Sequence, residues 1–449
     1  MPHRPKKKVQ TQPVVFQPDS AGIDVGALEL YVAVPADRDA QSVRSFGSFT
    51  EDLIALANWL EQCRVKTVAM ESTGVYWIAL YQILQSRGIE VYLVNARHVK
   101  NVPGRKTDVL DCQWLQYLHS VGLLRGSFRP SDQICILRSY LRHRDMLVKI
   151  AASHIQHVQK ALNQMNLHLH HVVSDITGVT GLAIIDAILA GERDPSSLAR
   201  LRDRRIKATE ATIAKALVGD YRTEHLFTLK QALQAYRFYQ TQIQDADQQI
   251  ESHLSSLQTK TKEPAPPPRR KHSPERNQPH FDLRGHLHRI LGLDLTAIPG
   301  FSTLNAHTLF SEIGPDLSKF PSAKHFSSWL GLSPDNRISG GKILSAHTRN
   351  VKSRAAAALR MAAYSAGRSY SAIGDYFRRL RARLGTPKAI TATAHKLARI
   401  IFHLLSTHSP YNESVFQQNE HRYINNAKRN LAKKARELGF SLSPINEVS

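Results

Sequence analysis

The chain has 449 residues, enough for two or three domains, and 42% of them are apolar, which excludes a disordered protein. Sixty Lys and Arg stand against 37 Asp and Glu, a formal charge of +23, so a polyanion is the expected partner, with nucleic acid ahead of a membrane surface. No apolar run approaches the roughly 20 residues of a bilayer span. The three cysteines, Cys63, Cys112 and Cys135, lack CxxC spacing, which points away from a zinc site or a disulfide framework and towards a reducing cytosol.

Residues 1–18 read as a basic, Pro-containing tail, and Met1 to Gln10 lack the apolar segment of a secretory signal. The segment 19–130 opens with two β-rich runs, Ala21 to Gly26 and Leu30 to Val34, and a third candidate strand spans Val43 to Phe49. Leu53, Leu56, Ala57 and Leu60 give Glu51 to Cys63 a helical spacing, and Val65 to Met70 reads as a buried strand ending at Glu71. A helix over Tyr76 to Ser86 and a strand over Glu90 to Val94 follow. The predicted order is β-β-β-α-β-α-β-α, an α/β layer with helices on a mixed sheet, and sites in such sheets gather at strand ends, where Asp24 and Glu71 fall.

The last helix of this segment follows Lys106-Thr107-Asp108-Val109-Leu110-Asp111. With Thr107 as its cap and Leu110, Trp114, Leu118 and Val121 as its apolar stripe, Asp108 and Asp111 lie one turn apart. Two carboxylates on one face need a metal, a cation or water, although acids in a first turn also simply favour the helix dipole. Together Asp24, Glu71, Asp108 and Asp111 are the parts needed to hold Mg²⁺ or Mn²⁺ against a phosphodiester, and the chemistry they suit is phosphoryl transfer.

The segment 131–258 carries two heptad series. One runs from Ile134 to Val172 with Arg144 at a seam position, and the other from Leu226 to Leu257 with Gln240 and Asp247 at the seam. They predict coiled-coil helices, paired within the chain or between subunits. Residues 259–282 form a Pro-rich, basic linker.

The segment 283–408 contains Leu293 to Phe301, read as a helix and a Pro-Gly turn at Gly300, before a helical run from Thr303 to Ile313 whose free N–H groups can hold a phosphate. Asn336-Arg337-Ile338-Ser339-Gly340-Gly341-Lys342 offers a hydroxyl beside a tight turn, which is either an anion nest or an ordinary turn. Arg349, Lys352, Arg354 and Arg360, then Arg378, Arg379, Arg381 and Arg383, match a surface that tracks a nucleic-acid backbone. The remainder, 409–449, is a basic tail with a helix candidate from Ala427 to Arg436.

Six pieces in this order, Gly22-Ile23-Asp24-Val25-Gly26, Met70-Glu71-Ser72-Thr73-Gly74, Val94-Asn95-Ala96-Arg97, Lys106 to Asp111, Ile298-Pro299-Gly300 and Asn336 to Gly340, resemble the DEDD transposases of bacterial insertion sequences, recombinases that work with a structured bridge RNA. The resemblance spans about residues 20–130 and 285–405. It implies an RNase H-like, RuvC-like N-terminal domain with Asp24, Glu71, Asp108 and Asp111 as the metal-binding tetrad. It also implies a mainly α-helical C-terminal transposase domain, joined by a coiled-coil middle used in assembly, with Ser339 as nucleophile in preference to Ser333 and Ser345. Such enzymes cut and rejoin donor and target DNA as homo-oligomers, pairing the tetrad of one subunit with the serine of another, while the RNA reads sequence. Arg97, Lys106, Gly300, Arg337, Lys342, Arg349, Lys352 and Arg354 are the expected nucleic-acid contacts. Two other functions fit some of the same residues. A metal-dependent junction endonuclease would use the tetrad to activate water, and a packaging protein would need only charge and coiled coil.

Overall fold

The computed structural model describes residues 14–72, 74–95, 108–267 and 277–443, the side chains of 419–422 excepted. Thr107, Lys106 and Arg97 lie outside these residues. The chain divides into two compact units, Met1–Arg129 and Pro130–Ser449.

The first unit is a mixed five-stranded sheet with helices, in the arrangement of an RNase H-like domain. Strands β1 (Ser20–Val25), β2 (Glu29–Ala33) and β3 (Val43–Gly47) form an antiparallel meander. Helix α1 (Thr50–Gln62) then leads to β4 (Thr67–Glu71), and α2 (Trp77–Ser86) to β5 (Glu90–Val94). Both late strands run parallel to β1, giving the order β3-β2-β1-β4-β5. The crossover helices explain the switch, since parallel neighbours need a connection of a dozen residues or more while antiparallel ones need only a turn. Central β1 and β4 are buried on both faces and carry little but small and apolar side chains, whereas the edge strand β3 is only half-buried. Leu53, Leu56, Ala57 and Leu60 of α1 and Leu80 and Leu84 of α2 close the core, as their spacing predicts.

Helix α3 (Asp108–Ser120) corrects one expectation. The sequence assigns its apolar stripe to Leu110, Trp114, Leu118 and Val121, yet Leu110 is half exposed and the buried positions are Cys112, Leu115 and His119. The cause is Gly22. A Cβ at this position would come well inside 3.0 Å of the Cys112 carbonyl oxygen and the Gln116 nitrogen, so the backbones of β1 and α3 meet there and nothing larger fits. The face that contains Cys112 is therefore the inner one.

In the second unit, α4 (Asp132–Gln164) and α9 (Thr223–Ser256) pair antiparallel along their length. The His253 ring bonds the Gln133 carbonyl oxygen at one end, and Leu162 packs with Leu229 and Leu233 at the other. The polar seam residues Arg144 and Asp247 meet each other. Both are buried, and the guanidinium donates from Nε to one carboxylate oxygen and from Nη2 to the other at 3.2 Å. The heptad series does not continue as helix to Val172, because α4 stops at Gln164 and Asn166 takes a left-handed φ of 57°. Four short helices follow, α5 (Leu169–Val172), α6 (Val179–Leu189), α7 (Pro195–Ala199) and α8 (Glu210–Ala216), and they cap the hairpin, their Ile184, Ile185, Leu198 and Ile213 sharing one core with its Leu162, Leu229 and Leu233.

The C-terminal helices are α10 (Leu283–Leu291), α11 (Thr303–Ile313), α12 (Ala323–Trp329), α13 (Arg354–Ala366), α14 (Ala372–Leu384), α15 (Thr386–Thr407) and α16 (Glu413–Glu437). Leu295–Ala297 makes a single 3₁₀ turn where a helix was expected. Arg289 of α10 donates to the Leu254 and Leu257 carbonyl oxygens and so satisfies the end of α9. Glu312 of α11 receives Arg142 of α4 in a two-oxygen pair at 2.9 and 3.0 Å. Among the described residues no helix is long and apolar enough to cross a membrane.

Two buried histidines give the fold an acid limit. Burial holds His119 at a pKa of about 4, beside the Thr67 hydroxyl at 2.9 Å, and burial together with the Arg144 charge holds His307 at about 3. Each is depressed below the unfolded value near 6.5, so the stability that each confers is complete above pH 6.5 and is lost as pH falls towards 4 and then 3. The melting temperature is expected to drop across pH 6.5 to 4. Replacing His119 with Gln and His307 with Leu should flatten that drop in a pH series of thermal melts.

Candidate active site

The end of β1 and the start of α3 bring three carboxylates together. Asp24, Asp108 and Asp111 each offer an oxygen, and these oxygens lie within 4.8 Å of one another. Asp24 and Asp111 are half-buried and Asp108 is exposed, so the cluster opens to solvent. The local reasons are simple. Asp108 and Asp111 stand on the same helical face as Cys112, Leu115 and His119, one turn before that face meets the sheet. Gly22, two residues before Asp24 on β1, sets how closely the helix approaches. Glu71 is half-buried at the end of β4, the strand beside β1, and is not one of the three clustered groups.

Three like charges at this spacing repel one another, and a hard divalent cation held by carboxylate oxygens relieves that repulsion. An all-oxygen donor set suits a hard divalent cation. Cys112 is no competitor as a ligand. Its thiol is buried and donates to the Val109 carbonyl oxygen, and burial, with the charges of Asp24 and Asp111 adding, pushes it up to about 12.

Ser339 ends β6 (Arg337–Ser339), which pairs antiparallel with β7 (Lys342–Ser345). The turn is Gly340-Gly341, with φ of 55° and 75°, the doubly left-handed geometry of a two-residue hairpin turn that a pair of glycines adopts without strain. Every residue from Pro334 to Leu344 is exposed, including Ile338, Ile343 and Leu344. The hydroxyl is thus presented at the tip of a bare hairpin, between Arg337 and Lys342.

A family model described as a transposase, DEDD_Tnp_IS110, matches residues 21–167, and a second, described as transposase of the IS116/IS110/IS902 family, matches residues 294–378. Together they span about half of the chain. The chain belongs to the IS110 family of transposases. It is accordingly an enzyme that acts on DNA. No curated protein matches it. Asp24, Glu71, Asp108 and Asp111 fall in the first matched segment of this transposase, and Gly300 and Ser339 in the second.

The expected nucleic-acid contacts fall into distinct settings. Arg337, Lys342 and Lys352 are exposed. Arg349 is exposed as well but is tied to Ser328, donating to its carbonyl oxygen and its hydroxyl. Arg354 is half-buried and pairs with Asp145 and Glu312, so its charge is largely used within the protein. Gly300, with φ of 90°, is a glycine for a packing reason, since a Cβ would strike the backbone of α13 at Ala362 and Ala366. Of the dense arginine patch, Arg378 is anchored to the Gly367 and Ser369 carbonyl oxygens and to Asp375, while Arg381 and Arg383 are exposed.

Sequence reasoning passed over Tyr31. It is the cross-strand partner of Asp24, its hydroxyl donates to Glu29 at 2.8 Å, and the Glu29 carboxylate, with a smaller contribution from Asp108, raises the phenol above its ordinary value. The available signal was its place two residues into the strand that follows the Gly26 turn.

Proposed function

We propose that this transposase cuts and rejoins DNA strands through a phosphoserine intermediate, with Ser339 as nucleophile and Asp24, Glu71, Asp108 and Asp111 as the carboxylates of a divalent-metal site in a RuvC-like domain. The observation that carries the reading is the convergence of Asp24, Asp108 and Asp111 within 4.8 Å in a chain with both transposase segments. A bound Mg²⁺ or Mn²⁺ would neutralise charge developing on the phosphate. The Ser339 oxygen attacks the phosphorus, and the departing strand leaves as a hydroxyl with the proton that the serine gives up. Attack by a second strand's hydroxyl reverses both transfers and restores the serine. The phosphodiester energy is kept in the ester, so rejoining needs no ATP.

Exposure of Ser339 on a two-glycine turn supports this role, because it lets a DNA backbone approach closely. The charge of +23, with Arg337 and Lys342 flanking the serine, supports DNA and a bridge RNA as partners. Assembly as a homo-oligomer is part of the same proposal, and its support is the resemblance and the exposed apolar hairpin.

Strand cleavage and joining of labelled donor and target DNA, with Mg²⁺ and the element's RNA, tests the reading. Ser339→Ala and Asp108→Ala are each expected to lower joining by about a thousandfold or more, and a chelator should do the same. Mg²⁺ should raise the melting temperature of the parent and of Ser339→Ala but not of Asp108→Ala. Normal joining by Ser339→Ala would overturn the serine mechanism.

A further inference from the structure

The C-terminal helices form an open pocket of about 1040 Å³ where α15 meets α14 and the start of α16. Its size is that of pockets that take ligands as large as a nucleotide. His395, Arg399 and His403 form a one-face stripe along α15, four residues apart, and Lys396 reaches in beside them. Among the described residues no acidic side chain lines the cavity. The Lys396 ammonium stands 4.1 Å from the centre of the Tyr376 ring and 5.8 Å from that of Phe416, and it has no carboxylate partner among the described residues. Glu413, at the start of α16, is held by the Tyr411 hydroxyl and the Ala372 N–H.

Such an arrangement is electrostatically incomplete. The Tyr376 and Phe416 rings offset part of the cost of a half-buried ammonium beside further cations, and an anion would offset more. Burial already pulls the Lys396 ammonium below its ordinary range, and the Arg379 charge adds to the effect. Most of the remaining wall is apolar or aromatic. A ligand that satisfies both features has a flat apolar body and a negative charge.

We propose that this cavity binds one unstacked nucleotide of a single strand, its base against the Tyr376 and Phe416 rings and its phosphate at Lys396 and Arg399. The inference rests on the reading of the chain as an enzyme of nucleic acids, and it adds a site that neither the carboxylate cluster nor Ser339 supplies. Aromatic stacking with adjacent cations is how proteins hold single strands without reading sequence. Movement of the Lys396 ammonium from the Tyr376 ring onto a phosphate would bare the ring for the base.

The test uses the 449-residue chain and three probes: a ten-nucleotide single strand carrying 2-aminopurine, the same sequence as a duplex, and a free mononucleotide. Lys396→Gln and Phe416→Ala are expected to weaken single-strand binding about tenfold each, with duplex binding changed less than twofold and the 2-aminopurine quench lost. Lys215→Gln on α8, which removes one distant surface charge, controls for net charge. Arg399→Gln, at an exposed position, reads the same contact if Lys396→Gln melts. Tight binding of the mononucleotide alone would make the occupant a free nucleotide and overturn the single-strand assignment. Equal single-strand affinity in parent and variants would overturn the site while leaving the transposase reading intact, provided that the parent still joins DNA. Altered self-association in the variants, with strand binding unchanged, would make the cavity a contact between copies and likewise overturn it.

Discussion

Gly22→Ala is expected to abolish DNA joining and Mg²⁺ binding together, although the side chain added is one methyl group remote from any phosphate. The new Cβ would sit well inside 3.0 Å of backbone atoms of Cys112 and Gln116, and backbone cannot swing aside as a flexible side chain can. Either α3 lifts from β1, which separates Asp108 and Asp111 from Asp24, or the first unit absorbs an overpacking cost of about 3 kcal/mol or more. Thermal melts with and without Mg²⁺ separate these outcomes. A folded variant whose Mg²⁺-induced rise in melting temperature is gone would place the damage in the cluster, and a variant with the parent's rise would contradict the role assigned to this glycine.

Asp247→Ala should destabilise the helical unit by about 3–5 kcal/mol, because it strands the buried Arg144 guanidinium without its carboxylate. The remaining bond from Arg144 to the Asn277 carbonyl oxygen, at 2.9 Å, does not replace a charge. The paired substitution Arg144→Met with Asp247→Leu removes both charges and should recover most of the loss, since well-packed apolar groups often match a buried ion pair. Denaturant titrations of the parent, Asp247→Ala and the double variant form the check. A double variant no more stable than Asp247→Ala would mean that the pair does more than fill and neutralise the seam.

Much of the first unit was legible because its signals are local. Alternating and continuous apolar runs placed the five strands, and the spacing of Leu53, Leu56, Ala57 and Leu60 placed α1. The proximity of Asp108 and Asp111 followed from helical geometry alone, but their approach to Asp24 depends on a long-range contact at Gly22 that periodicity cannot express. The same contact turned the inner face of α3 to Cys112 and Leu115, against the more hydrophobic Leu110 and Trp114. In the second unit the heptads marked the two long helices and put Arg144 and Asp247 at seam positions, but that these two meet each other was not legible. They overran at Gln164, where a left-handed Asn166 ends the helix, and they gave no warning of the four short helices up to Ala216, whose apolar residues lie too close together in sequence to show a period. Arginines were legible as charge but not as partners. Arg354 and Arg378 read like Arg337 in sequence, yet the first two are held by carboxylates and carbonyl oxygens that fold back from other elements.

The serine mechanism is tested most directly by a covalent bond. The chain, the element's RNA, Mg²⁺ and end-labelled donor and target DNA are mixed, denatured and examined for label that remains attached to protein. An adduct in the parent that maps to Ser339, and its absence from Ser339→Ala and Asp108→Ala, is the predicted result. Cleaved DNA with no adduct, undiminished in Ser339→Ala and lost only in Asp108→Ala, would contradict it and leave a metal-dependent nuclease in which Ser339 is a turn residue.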